Sequence, residues 1–132
     1  MKENYDLTDK TVYLCSPLSD KSEQVEWENQ RMAIQSAAEY REKYGCRPSA
    51  PSGYLPYLLD YDNPAEQRMI REWSLQLMDL CDAVVVFGAD LSDAMRVELD
   101  HALRNNIPIV SRPESAAAVQ AFLFSVKHRR EE

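Results

Sequence analysis

Cys81-Asp82-Ala83-Val84-Val85-Val86-Phe87-Gly88 is the stretch that decides the fold. Ala83 to Phe87 is apolar without alternation, the mark of a strand buried on both faces of a parallel sheet. Ser92 then opens a helix whose apolar face is Met95, Leu99, Ala102 and Leu103. A buried strand followed by an amphipathic helix is one half of a βαβ unit. The chain repeats that pattern outward in both directions.

Upstream, Thr11-Val12-Tyr13-Leu14-Cys15-Ser16 is a β-branched and apolar run halted by Pro17, and it reads as the first strand. Residues 22–44 carry Val25, Met32, Ala33, Ala37 and Tyr40 or Tyr44 at helical spacing, with Gly45 as the stop. Arg47 to Ser49 is a short second strand, followed by a Pro-rich aromatic loop over 48–62. Asn63-Pro64-Ala65-Glu66 is a helix start with a cap, a first-turn proline and a capping-box acid. The helix it opens has Met69, Ile70, Trp73, Leu77 and Leu80 on one face. Downstream, Ile107 to Val110 is a last strand that Pro108 assigns to an edge. A closing helix runs from Pro113 to about Arg129 through Ala117, Val119, Phe122 and Val126. The order β-α-β-α-β-α-β-α specifies an α/β fold, a parallel sheet of four to five strands with helices on both faces. Right-handed crossovers select a flavodoxin-like or Rossmann-like 2-1-3-4 order. Residues 1–10 form a loose lead-in, and 11–129 a single domain.

Composition narrows the function. The 132 residues carry 15 Lys plus Arg against 22 Asp plus Glu, a net charge of −7. That balance argues against a nucleic-acid polymer or an anionic membrane as partner. Three glycines, Gly45, Gly53 and Gly88, are too few and too far apart for a dinucleotide-binding turn or a P-loop. The polar N-terminus and the lack of a long apolar run predict a cytoplasmic protein. Cys15, Cys46 and Cys81 are an odd, widely spaced set, expected to be buried free thiols. With no CxxC and only two histidines, neither a metal nor another cofactor is expected.

Ligands of open parallel sheets bind beyond the carboxyl ends of the strands, where strand order reverses. Here that edge gathers Ser16, Ser19, Asp20, Asp90, Ser92 and Asp93. The helix start at Ser92 offers free backbone N–H groups to an anion, although Ser92 also reads as a plain N-cap. Glu98 lies about 85° from the centre of its helix's apolar stripe, so its carboxylate can enter the cleft. His101 falls on the outward face. The long loop presents Tyr54 and Tyr57, candidates for closing a pocket or meeting a partner.

The run Thr11 to Pro17, the stretch Cys81 to Gly88 and the segment Ser92-Asp93-Ala94-Met95-Arg96-Val97-Glu98-Leu99 together resemble the nucleoside 2-deoxyribosyltransferase-like superfamily. The small branch found in phage and bacterial mobile-element genomes is most similar, with Cys-Asp, an apolar strand ending in Phe-Gly, then Ser-x-Gly-Met-x-x-Glu. The likeness covers residues 11–112. It implies that Glu98 is a nucleophile toward the anomeric carbon of a (deoxy)ribosyl group and that the Tyr13 hydroxyl orients it. By the same resemblance Ser92 and Ser16 bind the sugar or phosphate, and Pro17, Gly88, Asp93 and Met95 belong to the substrate-binding set. Asp90 and Tyr54 are further candidates. A homodimer or larger homo-oligomer is also implied.

Two positions depart from the pattern: Ser74 stands where the superfamily often has an acid that protonates the leaving base, and Ala94 where the branch has Gly. Two functional readings follow. One is an N-glycosyl enzyme, transferase or hydrolase, acting on a nucleoside or nucleotide. The other is a non-catalytic module that binds a nucleotide or nucleotide-derived signal in the same cleft. A structural domain with an inactive cleft is a third.

Overall fold

Each of the expected apolar runs becomes a strand. β1 (Thr11–Cys15), β2 (Arg47–Ser49), β3 (Ala83–Val86) and β4 (Ile109–Ser111) form one parallel sheet in the order β2-β1-β3-β4. They are joined by α1 (Glu23–Tyr44), α2 (Pro51–Leu58), α3 (Pro64–Asp79) and α4 (Asp93–Arg104), and α5 (Ala116–Glu131) follows β4. This computed structural model describes residues 6–16, 23–60 and 62–131. No helix among them is long and apolar enough to cross a membrane.

The connection from β1 to β2 steps one way along the sheet, and the return to β3 steps back past β1. Right-handed crossovers then put α1 on one face and α3 and α4 on the other. The core divides accordingly. Val12, Leu14, Ala83, Val85, Phe87 and Val110 pack with Ala33 and Tyr40 of α1. Tyr13, Cys15, Val84, Val86 and Ile109 pack with Met78, Met95, Leu99, Val119 and Phe122 of α3, α4 and α5. Because side chains alternate along a strand, β1 sends Tyr13 and Cys15 to the α3/α4 face and Val12 and Leu14 to the other.

Local signals in the sequence act as read, with some changes. Asn63 Oδ1 accepts from Ala65 N at 3.0 Å and Glu66 N at 3.2 Å. Its own N–H goes to Asp60 O at 3.1 Å rather than to the capping-box acid. Pro108 stands just before the edge strand β4, and its carbonyl accepts from Val84 N. Asp82 ties the start of β3 to β1: its Oδ2 accepts from Thr11 N at 2.9 Å and its N–H donates to Thr11 O. All three cysteines are buried and none is in a disulfide.

Four expectations are corrected. The 48–62 segment is not a continuous loop, because Pro51–Leu58 is helical. Pro51 fits the first turn, and burial of Ala50, Gly53 and Leu55, the first two against α1, outweighs the weak helical propensity. A Cβ at Gly53 would stand 2.9 Å from Ile34 Cγ1, so glycine lets the two helices meet. On α3 the inward stripe is Ile70, Ser74 and Met78, whereas Trp73 is 39% and Leu80 75% exposed. On α5 Ala117 is exposed and Ser115, just before the helix, is fully buried, donating to Val86 O at 2.9 Å. His101 is not simply solvated: its Nε2 meets Asp79 Oδ1 at 2.6 Å, linking α4 to the end of α3.

Candidate functional site

The alternation of β1 places a tyrosine and a cysteine beneath α3 and α4, facing a face otherwise filled by apolar side chains. Tyr13 is 2% exposed and Cys15 is wholly buried. Ser92 sets the register of α4 from above, its Oγ accepting from Met95 N at 3.2 Å. From that start, Met95, Leu99 and Ala102 turn to the core. Glu98, one position before Leu99, is carried over the flank of this stripe onto the hydroxyl of Tyr13.

Four side chains meet there. The Ser74 hydroxyl donates to the Tyr13 oxygen, and the Tyr13 hydroxyl donates to the Glu98 carboxylate. The Cys15 thiol donates to the same carboxylate. Glu98 Oε2 is nonetheless buried without a hydrogen-bond partner among the described residues. An unsatisfied buried acceptor costs about 1–3 kcal/mol, so its persistence asks for an explanation.

Burial lifts the Glu98 carboxyl to about 7, against the hydrogen bonds from Tyr13 and Cys15, which lower it. Burial, then the nearby Glu98 charge, holds the Tyr13 phenol well above its ordinary value. The Cys15 thiol is raised well above its ordinary value for the same two reasons. Both therefore stay protonated at neutral pH and act as donors, while Glu98 sits at its own titration point.

Beside Glu98 a cavity of about 120 Å³ opens between α3 and α4, lined by Ile70, Arg71, Ser74, Leu75, Asp93, Ala94, Val97 and Glu98. A dry engineered cavity of roughly 150 Å³ holds a benzene ring, so this space is one ring in size. Its walls are mostly aliphatic, and its ionisable groups are Glu98 inside with Asp93 and Arg71, both on exposed residues. A carboxylate beside an apolar, ring-sized space can accept a proton, donate one, or add to an electrophilic carbon.

Of the residues singled out in the sequence, the structure brings Tyr13, Glu98 and Asp93 together here. Ser92 serves as the cap of α4, and Met95 is 1% exposed in the core, so neither lines the cavity. Ser16 is buried at the end of β1, Gly88 takes a φ of +94° in the turn after β3, and Asp90 is exposed. Tyr54 lines a separate groove between α2 and α3 with Leu58, Trp73 and Leu80. Pro17, Ser19 and Asp20 lie outside the described residues.

Sequence reasoning missed Arg71, and it took Ser74 only as a departure from a pattern. Both follow from assigning the inward face of α3 to Trp73, Leu77 and Leu80. A polar residue inside the stripe Ile70-x3-Ser74-x3-Met78 was the available signal.

The segment that builds this site coincides with a family match. A family model described as a domain of unknown function, DUF7768, matches residues 10–112. The chain belongs to the DUF7768 family. That match takes in all four strands and both cavity helices, and it ends before α5. The family unit thus contains the whole Glu98 site. No curated protein matches the chain.

Proposed function

We propose that this protein breaks the N-glycosyl bond of a nucleoside or nucleotide, with Glu98 adding to the anomeric carbon. The observation that carries the reading is the buried, unpartnered Glu98 Oε2 beside a ring-sized cavity. An oxygen in that position lacks the hydrogen bond that would make it structural, and its residue lines the cavity. The Tyr13 hydroxyl holds the carboxyl group from the β1 side.

In this reading the ionised carboxylate forms a C–O bond to the sugar as the C–N bond breaks, and the electron pair leaves with the base. The transition state has oxocarbenium character, which a carboxylate in an apolar site stabilises by its charge. The departing base takes up a proton, and Asp93 is the other carboxyl group lining the cavity. Water, or a second base, then releases the sugar from the glycosyl ester. Homo-oligomerisation, as the family resemblance implies, belongs to the same proposal.

One observation favours a second reading. Ser74, standing where an acid is expected, is committed to Tyr13. A module that only binds a ring against Glu98 needs no such acid. The test is incubation with a panel of nucleosides, nucleoside monophosphates and dinucleotides, with free base followed by chromatography. Base release that disappears in Glu98→Gln is the expected result. Thermal stabilisation by a panel member without base release supports binding alone, and silence in both assays overturns both readings.

A further inference from the structure

Cys15 is the one buried nucleophilic group of the site that the proposed chemistry leaves without a task. Its thiol cannot serve as the nucleophile, because burial beside a carboxylate keeps it protonated. Nor is it simple core filling. It reaches the Glu98 carboxylate from the same strand as Tyr13, two residues along and on the same face. With Oε2 unpartnered, both donors fall on the other oxygen, and two donors on one carboxylate oxygen fix its plane where one would only tether it.

We propose that Cys15 is a second positioning residue for Glu98, gripping the carboxylate together with Tyr13 at the edge of the cavity. Its importance for catalysis rests on the reading of Glu98 as the reacting group, but the positioning itself can be measured without turnover. The choice of sulfur has a physical consequence. A thiol is a weak donor, so it orients the carboxylate without holding its charge as firmly as a hydroxyl would. A nucleophile needs an oriented carboxylate with available lone pairs, and a weak second donor satisfies both demands. The charged or polar groups around the carboxylate are Tyr13 and Cys15 from β1, Ser74 and Arg71 from α3, and Asp93 from α4 itself.

The test follows the titration of Glu98 by carbon NMR in full-length protein labelled at the glutamate carboxyls, with Glu98→Gln assigning the signal. Cys15→Ser supplies a stronger donor and lowers the Glu98 midpoint, while Cys15→Ala removes the donor and raises it. Each shift is expected at about half a pH unit to one unit, the worth of one modest hydrogen bond. A role in packing alone would not order the three proteins Ser, Cys, Ala. Equal midpoints, or the reverse order, overturn the proposal.

Should Cys15→Ala fail to fold, the wild-type thiols supply the second measurement. Cys46 donates to Tyr40 O at 3.5 Å and Cys81 to Leu77 O at 3.3 Å, both carbonyls that do not titrate. One S–H infrared band of three is therefore expected to move as pH crosses about 7, and to stop moving in Glu98→Gln. No pH-dependent band overturns the proposal. Ordered midpoints with no base release from any substrate would leave the positioning intact and remove the glycosyl reaction. Base release with unordered midpoints would do the opposite.

Discussion

The two faces of the sheet are built from the same four strands and carry different chemistry. On the α1 side, Val12, Leu14, Val85, Phe87 and Val110 meet Ala33 and Tyr40. A charged group at its rim, Arg112, lies over the Phe87 ring at 4.8 Å and pairs with Glu114 at 2.9 Å. It is partnered on each side. On the α3/α4 side a serine, a tyrosine, a cysteine and a glutamate form a buried chain with one oxygen left over. A face built only for stability satisfies its polar groups. An orphaned acceptor is a cost of the kind retained at sites where a ligand completes the bonding.

That contrast can be broken in several ways, taken from the largest effect to the smallest. Glu98→Gln keeps the shape and removes the proposed nucleophile, so base release should fall at least about a thousandfold, measured as initial rate on whichever nucleoside is cleaved. Truncation on the opposite face should do the reverse. Leu14 is 1% exposed, and Leu14→Ala should cost about 2–5 kcal/mol in denaturant unfolding, leaving the Glu98 midpoint where it was. A shift of that midpoint in Leu14→Ala would show that the faces are coupled.

The pH dependence of stability comes next. Glu98 is raised from 4.5 to about 7, so the folded state holds this proton more firmly than the unfolded chain does. The contribution is fully present below about 4.5 and is lost as pH rises through about 7. At pH 8 and above Glu98→Gln should therefore be more stable than wild type by about 3 kcal/mol, and the gap should close by pH 4. Paired urea titrations at the two pH values check this. If catalysis uses the ionised form, base release should rise over the same interval in which stability falls. Tyr13→Phe has the smallest stability effect, about 1–2 kcal/mol for the lost hydrogen bonds. It should also move the Glu98 midpoint upward, since the Tyr13 hydroxyl is the stronger of the two donors holding it down.

Much of the fold was legible along the chain. The unbroken run Ala83 to Phe87, the cap at Asn63 and the proline before β4 are local signals, and each acts locally in the structure. The flank position of Glu98 was readable too, because helical geometry relates it to Met95 and Leu99 within seven residues or fewer. Less legible were features that depend on a partner distant in sequence. Pro51–Leu58 reads as loop until α1 supplies a surface that Gly53 can approach. The face of α3 is ambiguous because Trp73, Leu77 and Leu80 are as apolar as a core stripe, and only the sheet decides that Ser74 turns inward.

By itself, then, the sequence determined the order of the four strands, every helix but Pro51–Leu58, and the parallel sheet. Those follow from periodicity and capping, whose physics is short-ranged. The tertiary structure decided that the Glu98 Oε2 is buried without a partner, and that Tyr13, Cys15 and Ser74 surround the carboxylate. These are properties of desolvation, and desolvation depends on everything packed around a group. No reading of neighbours in the chain supplies it, because Ser74, Tyr13 and Glu98 come from three different elements.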